Sequence, residues 1–164
     1  MLKKLFMLIV AGFFLASCAA TKTEEGGNVD AASTSASSSS GGEITAGTQE
    51  DLIVNVGDRV FFEFDSSELT VDAQATLDAQ AAWLMQYPDS NITVEGHADE
   101  RGTREYNLAL GDKRAFSVYS YLAQAGIDTN RMEYVSWGKE RPEVIGSDET
   151  AYSQNRRGVT LVSN

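Results

Sequence analysis

Apolar and polar positions alternate in several short runs between Asp51 and the end of the chain. A period of two residues is typical of a β-strand with one buried face. Gly57 and Asp58 form a turn signal between the first two runs. The alternation predicts strands at the following positions: Leu52, Val54 and Val56; Val60, Phe62 and Phe64; Ile92 and Val94; Met132, Tyr134 and Ser136; Val159 and Leu161.

Two longer segments repeat instead every three to four residues, which is the helical period. The first begins after Thr70, a predicted N-cap, and ends before Pro88. The second runs from Thr103 to Ala125, and Gly126 follows it as a predicted C′ residue. Their apolar stripes are Leu77, Ala81 and Leu84 in the first helix, and Leu108, Gly111, Ala115, Val118 and Leu122 in the second.

Strands that alternate with helices indicate an α/β fold. We therefore predict a two-layer sandwich over residues 51–164. In it, a mixed sheet of about four strands is packed with two main helices. No internal repeat is visible in the sequence.

Residues 1–17 have the layout of a secretory signal peptide, with Lys3 and Lys4 ahead of an apolar run that ends in small residues. The run is shorter than the ~20 residues that span a bilayer. The next segment resembles the lipobox of bacterial lipoproteins: Leu15-Ala16-Ser17-Cys18. This resemblance implies cleavage before Cys18 and lipidation of its thiol. With Ala19 rather than aspartate next, it also implies an outer-membrane anchor, with the domain facing the periplasm.

Residues 18–50 are of low complexity, rich in glycine and serine, and contain no aromatic residue. Such a segment cannot bury enough apolar surface to offset its chain entropy, so we predict a flexible linker. The formal net charge of the chain is −11. This acidity disfavours binding to nucleic acid or to an anionic membrane surface, which both select basic patches.

The most charged stretch joins a predicted strand to the second predicted helix, between Val94 and Thr103. A metal or hydrolase site there would use Glu95, His97, Asp99 and Glu100. However, His97 is the only histidine, and there is no second histidine–cysteine cluster. Nucleophilic catalysis is also disfavoured, because no serine lies in a nucleophile-elbow motif and the single cysteine lies in the linker. We predict no catalytic residue, no metal and no cofactor.

A third interpretation is a binding site for a small zwitterion. Asn107, Leu110 and Arg114 follow Asp99 at helical spacings of three and four, so they share one helix face. Asp99 can accept an ammonium group, while the Arg114 guanidinium can hold a carboxylate through two parallel hydrogen bonds. An ordinary surface pair of aspartate and arginine is the alternative.

Three segments carry a specific resemblance to a known family. They are Val94–Thr103 with its continuation Glu105–Gly111, then Tyr134–Pro142, and finally Ser153–Arg157. They resemble the peptidoglycan-associated lipoproteins, which belong to the broader OmpA-like C-terminal family, and they lie within residues 58–162. The lipobox and linker fit this group rather than a porin-linked or motor-linked relative.

The resemblance implies non-covalent binding of the peptidoglycan stem peptide through diaminopimelate, whose side-chain end bears an ammonium and a carboxylate. By position, Asp99 and Arg114 match the family's ligand residues. Two departures, Asp112-Lys113 and Arg104, leave this pair intact but bear on affinity. The remaining pocket positions that match are Phe64, Asp65, Asn107 and Leu110.

The resemblance also implies partners and a cellular role. The implied partners are TolB and the other Tol proteins of the Tol–Pal system. The implied role is to maintain envelope integrity and to support outer-membrane invagination during cell division. The chain would then be a structural tether between outer membrane and cell wall, and not an enzyme. Two alternatives are an interaction module whose main ligand is another protein, and a hydrolase of the wall.

Overall fold

The computed structural model describes residues 44–163. The predicted signal peptide, Cys18 and most of the predicted linker lie outside the described residues. Within the described part, no helix combines the length and apolar character needed to cross a membrane. The elements in chain order are helix α1 (Gln49–Asn55), strand β1 (Arg59–Phe61), helix α2 (Val71–Gln86), strand β2 (Asn91–His97), helix α3 (Arg104–Gln124), a short 3-10 helix (Thr129–Arg131), strand β3 (Met132–Gly138), helix α4 (Glu149–Asn155) and strand β4 (Arg157–Ser163).

The four strands form one mixed sheet in the order β1-β4-β2-β3. Strands β2 and β3 are parallel, with α3 as the connection between them, whereas β4 is antiparallel to both β1 and β2. Helices α2 and α3 pack on the sheet. The predicted two-layer α/β sandwich with two main helices is therefore confirmed.

The core lies between these helices and the sheet, where the predicted stripes and strands meet. Leu77 and Leu84 of α2, Val94 of β2, and Val118 and Leu122 of α3 are all at most 1 % exposed. Burial of such side chains supplies about 1.5–3 kcal/mol each. The predicted core positions of α2 and of the C-terminal half of α3 are thus confirmed.

The ends of the two main helices follow from their sequence. Thr70 and Thr103 are the N-caps, and their hydroxyls accept hydrogen bonds from the N–H groups of Ala73 and Tyr106. At the end of α3, Gly126 takes a φ of +101° and donates to the carbonyl of Ala123. The next N–H, from Ile127, reaches the Leu122 carbonyl at 3.1 Å, which completes a Schellman motif.

The predicted strand through Leu52, Val54 and Val56 is wrong, because this segment forms helix α1. The Thr48 hydroxyl caps the helix, and acidic residues occupy its first turn. Only Leu52 of the apolar residues is fully buried, whereas Val54 is 59 % exposed. The apparent alternation therefore did not mark a buried face. The helix begins at Gln49, so the predicted domain start at residue 51 falls inside it.

The predicted stripe of α3 also needs a correction at its first position. Leu108 is 50 % exposed, and the neighbouring Asn107 is buried in its place. The buried face begins with polar side chains because Asn107 and Arg114 bond to the loops that surround the N-terminal half of the helix. Helix α4 and the 3-10 helix were not predicted.

One close contact brings α3 against the sheet. A β-carbon on Gly96 of β2 would meet the backbone of α3, with the carbonyl carbon of Gly111 at 2.8 Å and the amide nitrogen of Ala115 at 2.9 Å. Only glycine allows this approach. The N-terminal half of α3 is thereby held beside the end of β2, where the charged segment lies.

Candidate binding site

A cavity of about 380 Å³ opens where the end of β2, the start of α3 and the turn after β1 meet. The structure brings all six sequence-predicted site residues to its wall. Four further residues line it that the sequence analysis did not select. The lining is Phe64, Asp65, Asp99, Asn107, Leu110 and Arg114, together with Ala98, Arg101, Gly102 and Tyr106.

Arg114 forms the floor of the cavity and not its rim, since the side chain is 0 % exposed. Its Nε donates to the carbonyl of Ser66 at 2.8 Å, Nη1 to that of His97 at 2.8 Å, and Nη2 to that of Glu63 at 3.1 Å. These bonds hold the turn after β1 against the end of β2. The interpretation of Asp99 and Arg114 as an ordinary surface pair is therefore wrong, because both side chains are buried.

The charge of Arg114 has no carboxylate partner within 4.0 Å among the described residues. Burial and the nearby positive charge of Arg156 lower the pKa of Arg114 to about 10, which leaves it protonated at neutral pH. A guanidinium has five N–H donors, so two remain after the three bonds to carbonyls. Asp99 and Asp65 act on Arg114 from a greater distance, but no carboxylate of the described residues is in contact with it, and a bound anionic group would offset part of the cost of the buried charge.

Asp99 follows the end of β2 and is 5 % exposed. Its Oδ1 accepts from the backbone N–H and from Nε of Arg101, both at 3.1 Å. Its Oδ2 accepts from Nη2 of Arg101 at 2.6 Å and from Nη1 of Arg156 at 3.4 Å. Burial acts to raise the pKa of Asp99, but the hydrogen bonds from Arg101 outweigh it and the pKa lies below its usual value. Asp99 is therefore ionised at neutral pH.

The loop between β2 and α3 is fixed by its own sequence. Gly102 takes a φ of +90°, which a residue with a β-carbon rarely adopts. Thr103 then caps α3, and the side-chain amide of Asn107 donates to the Arg101 carbonyl at 2.7 Å. Asn107 thus positions the loop that carries Asp99.

Aromatic and acidic groups form the rim of the cavity. Phe64 is 60 % exposed, and the Arg101 guanidinium carbon lies 4.2 Å from the centre of its ring. The Tyr106 hydroxyl donates to the carboxylate of Asp65, the residue after Phe64, and this bond raises the pKa of Tyr106. Asp65 itself has a φ of 55°, in the left-handed region that a turn requires. The rim therefore combines an apolar face with a negative charge.

Arg101, Tyr106 and Arg156 also belong to this site, although they were not predicted from the sequence. Arg101 lies two residues after Asp99, a spacing at which an aspartate commonly bonds the local backbone, so a signal was present. Tyr106 precedes Asn107 on the same turn of α3. Arg156 lies 57 residues from Asp99, and no local pattern indicates that the two meet.

His97 takes no part in the cavity wall. Its side chain is buried, and Nε2 lies 3.3 Å from Oε2 of Glu95. Burial, and then the positive charge of Arg157, lower the pKa of His97 to about 4, so the imidazole is neutral at physiological pH. Within residues 44–163, no three histidine, cysteine or acidic side chains are grouped so as to hold a metal ion.

Comparison with known proteins identifies the family. Residues 61–156 match the OmpA family. The peptidoglycan-associated lipoprotein of Rhizobium meliloti strain 1021 is 56 % identical over 121 residues, which cover 74 % of this chain and 69 % of that protein. The peptidoglycan-associated lipoprotein of Brucella melitensis is 55 % identical over 122 residues, covering 74 % and 73 %.

Solved structures agree with these relatives. The crystal structure of the peptidoglycan-associated lipoprotein from Burkholderia pseudomallei superposes with a TM-score of 0.63 at 43 % identity, covering 65 % of this chain and 90 % of that one. The C-terminal domain of Helicobacter pylori MotB, at 24 % identity and a TM-score of 0.60, shares the fold. The resemblance seen in the sequence is confirmed, and the chain belongs to the OmpA family.

Proposed function

We propose that this chain is a lipoprotein of the bacterial envelope that binds peptidoglycan without cleaving it and ties the outer membrane to the cell wall. The names of its relatives support this proposal. The observation that carries it is the buried Arg114 guanidinium, which has no carboxylate within 4.0 Å among the described residues and lies at the floor of a cavity that Asp99 also lines. This arrangement is matched to a small ligand that carries both charges.

The ligand that fits these charges is the side-chain end of diaminopimelate in the stem peptide. Its carboxylate takes the two remaining N–H donors of Arg114. Its ammonium pairs with the ionised Asp99, and its aliphatic chain packs against Phe64 and Leu110. Because both charged residues are already ordered by other bonds, the site needs little reorganisation of its floor.

The proposal includes no catalytic step. The only histidine of the chain is neutral, buried and outside the cavity wall. Incubation with purified cell-wall sacculi is expected to release no soluble muropeptides, and their release would instead support the hydrolase alternative.

In this proposal the other end of the tether is the lipidated Cys18, and the residues between Cys18 and helix α1 serve as the linker. A Gly/Ser-like chain of this length has a root-mean-square span of roughly 30 Å, enough to let the domain search beside its membrane. Within this proposal the chain works with the Tol–Pal system, including TolB, and supports envelope integrity and outer-membrane invagination at division. Cys18→Ser should release the protein from membranes.

Retention on purified sacculi tests the wall-binding site. Arg114→Gln and Asp99→Asn are each expected to reduce retention at least about tenfold, because each removes one charge of the pair. Each has a matched control outside the cavity. Arg157→Gln alters another buried arginine, and Asp58→Asn alters another buried aspartate that an adjacent arginine holds.

Comparing each variant with its control separates a loss of wall binding from a loss of folding. If Arg114→Gln unfolds, Asp99→Asn still tests whether the cavity binds the wall. The asparagine keeps the shape of the aspartate side chain and can accept some of the same hydrogen bonds. Full retention by a folded Asp99→Asn variant would contradict the assignment of this cavity as the wall-binding site.

A further inference from the structure

Arg101 is hydrogen-bonded to the Asp99 carboxylate in this structure. It donates to both carboxylate oxygens, at 3.1 Å from Nε and 2.6 Å from Nη2. The side chain of Arg101 is 35 % exposed, whereas that of Asp99 is 6 % exposed. A positively charged group that enters from the cavity therefore meets an arginine of the same chain at its binding position.

We propose that Arg101 is an internal competitor of the ligand's ammonium, which leaves Asp99 when the ligand binds and so selects ligands that carry that ammonium. This inference rests on the proposed function, since it takes Asp99 as the ammonium site. It goes further by assigning a role to a residue outside the charge pair.

The two arginines at Asp99 differ in how firmly they are held. Arg156 has a side chain only 6 % exposed, its Nε donates to the buried carbonyl of Phe62 at 3.0 Å, and its Nη2 lies 2.7 Å from Glu149. The guanidinium of Arg101 bonds no backbone carbonyl of the described residues; apart from Asp99 it has only two aromatic rings beside it and a 3.6 Å contact with the exposed Glu149. Arg156 is thus a fixed partner of Asp99, and Arg101 is the movable one.

Arg101 also has contacts that it can keep after it leaves Asp99. Its guanidinium carbon lies over two aromatic rings, 4.2 Å from the centre of Phe64 and 4.3 Å from that of Tyr152. A rotation that breaks the two bonds to Asp99 can keep the stacking on Tyr152 and the contact with Glu149. The same rotation uncovers the ring of Phe64, which becomes available to the ligand's aliphatic chain.

Charge balance explains the selectivity. When Arg101 leaves and an ammonium arrives, Asp99 keeps the same number of positive neighbours, and Arg156 stays bonded throughout. A ligand that carries only carboxylates has no cation to offer Asp99 in exchange. Such a ligand leaves Arg101 in place, and its binding is insensitive to Arg101.

The experiment measures how tightly the full chain binds two small ligands, meso-diaminopimelate and pimelate, which has the same carbon chain without amino groups. Arg101→Gln is expected to bind diaminopimelate at least about fivefold more tightly than the unaltered protein, because it removes the competitor. Its binding of pimelate is expected to be unchanged. Arg59→Gln is the matched control: Arg59 has a side chain 34 % exposed, forks onto the adjacent Asp58 and lies outside the cavity wall.

Weaker binding of diaminopimelate by Arg101→Gln would overturn the proposal, because it would make Arg101 a contact of the ligand. Equal binding would overturn it too, since no competition would then exist. Failure of the unaltered protein to bind sacculi counts against the proposed function instead, which keeps the two failures apart.

A second measurement needs no variant and stands if Arg101→Gln fails to fold. The Nε–H signal of Arg101 in a nuclear magnetic resonance spectrum reports its bond to Asp99. Titration with diaminopimelate should shift that signal, while titration with pimelate should not. A signal that stays in place at saturation with diaminopimelate contradicts the release of Arg101.

Discussion

Arg156 and Asp99 meet at 3.4 Å although 57 residues separate them in sequence, and both side chains are only 6 % exposed. Arg156 lies between α4 and β4, whereas Asp99 follows β2. The same arginine also donates to the Phe62 carbonyl beyond β1. One side chain therefore joins three parts of the chain directly behind the cavity wall.

We expect Arg156→Gln to lower the free energy of unfolding by about 2–4 kcal/mol, because it removes one member of a buried ion pair. Asp99 keeps its bonds from Arg101, which is why the loss stays below that of a fully isolated charge. Chemical denaturation measures the change. The control is Arg104→Gln, whose exposed pair with Glu140 should contribute no more than about 1 kcal/mol. Equal losses in the two variants would contradict the buried role of Arg156.

The second prediction concerns the pH dependence of stability and His97. The pKa of His97 is lowered from 6.5 to about 4 by burial and by Arg157. Between these values the unfolded chain holds more protons than the folded one, so stability falls as the pH drops through this window. The loss attributable to His97 should reach roughly 2–3 kcal/mol.

Denaturant unfolding of the unaltered protein and of His97→Asn, compared between about pH 7.5 and pH 4.5, isolates this effect. The variant should show a flatter dependence on pH. The pKa of Asp99 lies below its ordinary value of 3.8, so Asp99 contributes stability that is lost only below this window. Parallel curves for the two proteins would show that His97 does not titrate between the two values.

The third prediction concerns the close packing of α3 on the sheet. Gly96→Ala should destabilise the protein by about 3 kcal/mol or more, because the added methyl overlaps the backbone of Gly111 and Ala115. Gly158 lies directly opposite Gly96 in β4 and is the matched control. A β-carbon there meets side-chain carbons, the nearest being Cγ2 of Val118 at 3.1 Å, so Gly158→Ala should cost less. Thermal unfolding compares the two, and a larger loss in Gly158→Ala would contradict the backbone contact.

The fourth prediction concerns Gln49, whose side chain bonds the part of β4 that extends past the start of β1. Its Oε1 accepts from the Val162 N–H at 2.6 Å, and its Nε2 donates to the Thr160 carbonyl at 3.3 Å. We expect Gln49→Ala to lower the free energy of unfolding by about 1–2 kcal/mol, since it leaves two backbone groups without a partner. The exposed neighbour Glu50 provides the control, and Glu50→Ala should change stability by less than about 0.5 kcal/mol. Faster amide hydrogen exchange at Val162 in the Gln49 variant would locate the loss.

Much of the fold was predictable because its strongest signals are local. Thr70, Thr103 and Gly126 act at helix ends through bonds to residues three or four positions away, and these bonds depend on nearby sequence alone. The segment before Gly57 was mispredicted because seven residues are too few to separate a period of two from a helical turn. The segment begins as a helix directly after Thr48, whose hydroxyl caps it.

At the candidate site, the sequence by itself determined which residues carry the charges. Asp99, Asn107, Leu110 and Arg114 were selected from helical spacing and family resemblance, and the cavity gathers them with Phe64 and Asp65. Their roles in binding stay predictions.

Only the tertiary structure decided the state of those charges. Burial depends on contacts between distant segments, which is why spacing could not show that Arg114 lies on the floor with three carbonyl bonds. Spacing could likewise not show that Arg101 and Arg156 both donate to the Asp99 carboxylate. The local sequence therefore determined which charged groups are present, and packing decided which of them are paired within the described part of the protein and which have no partner in contact there.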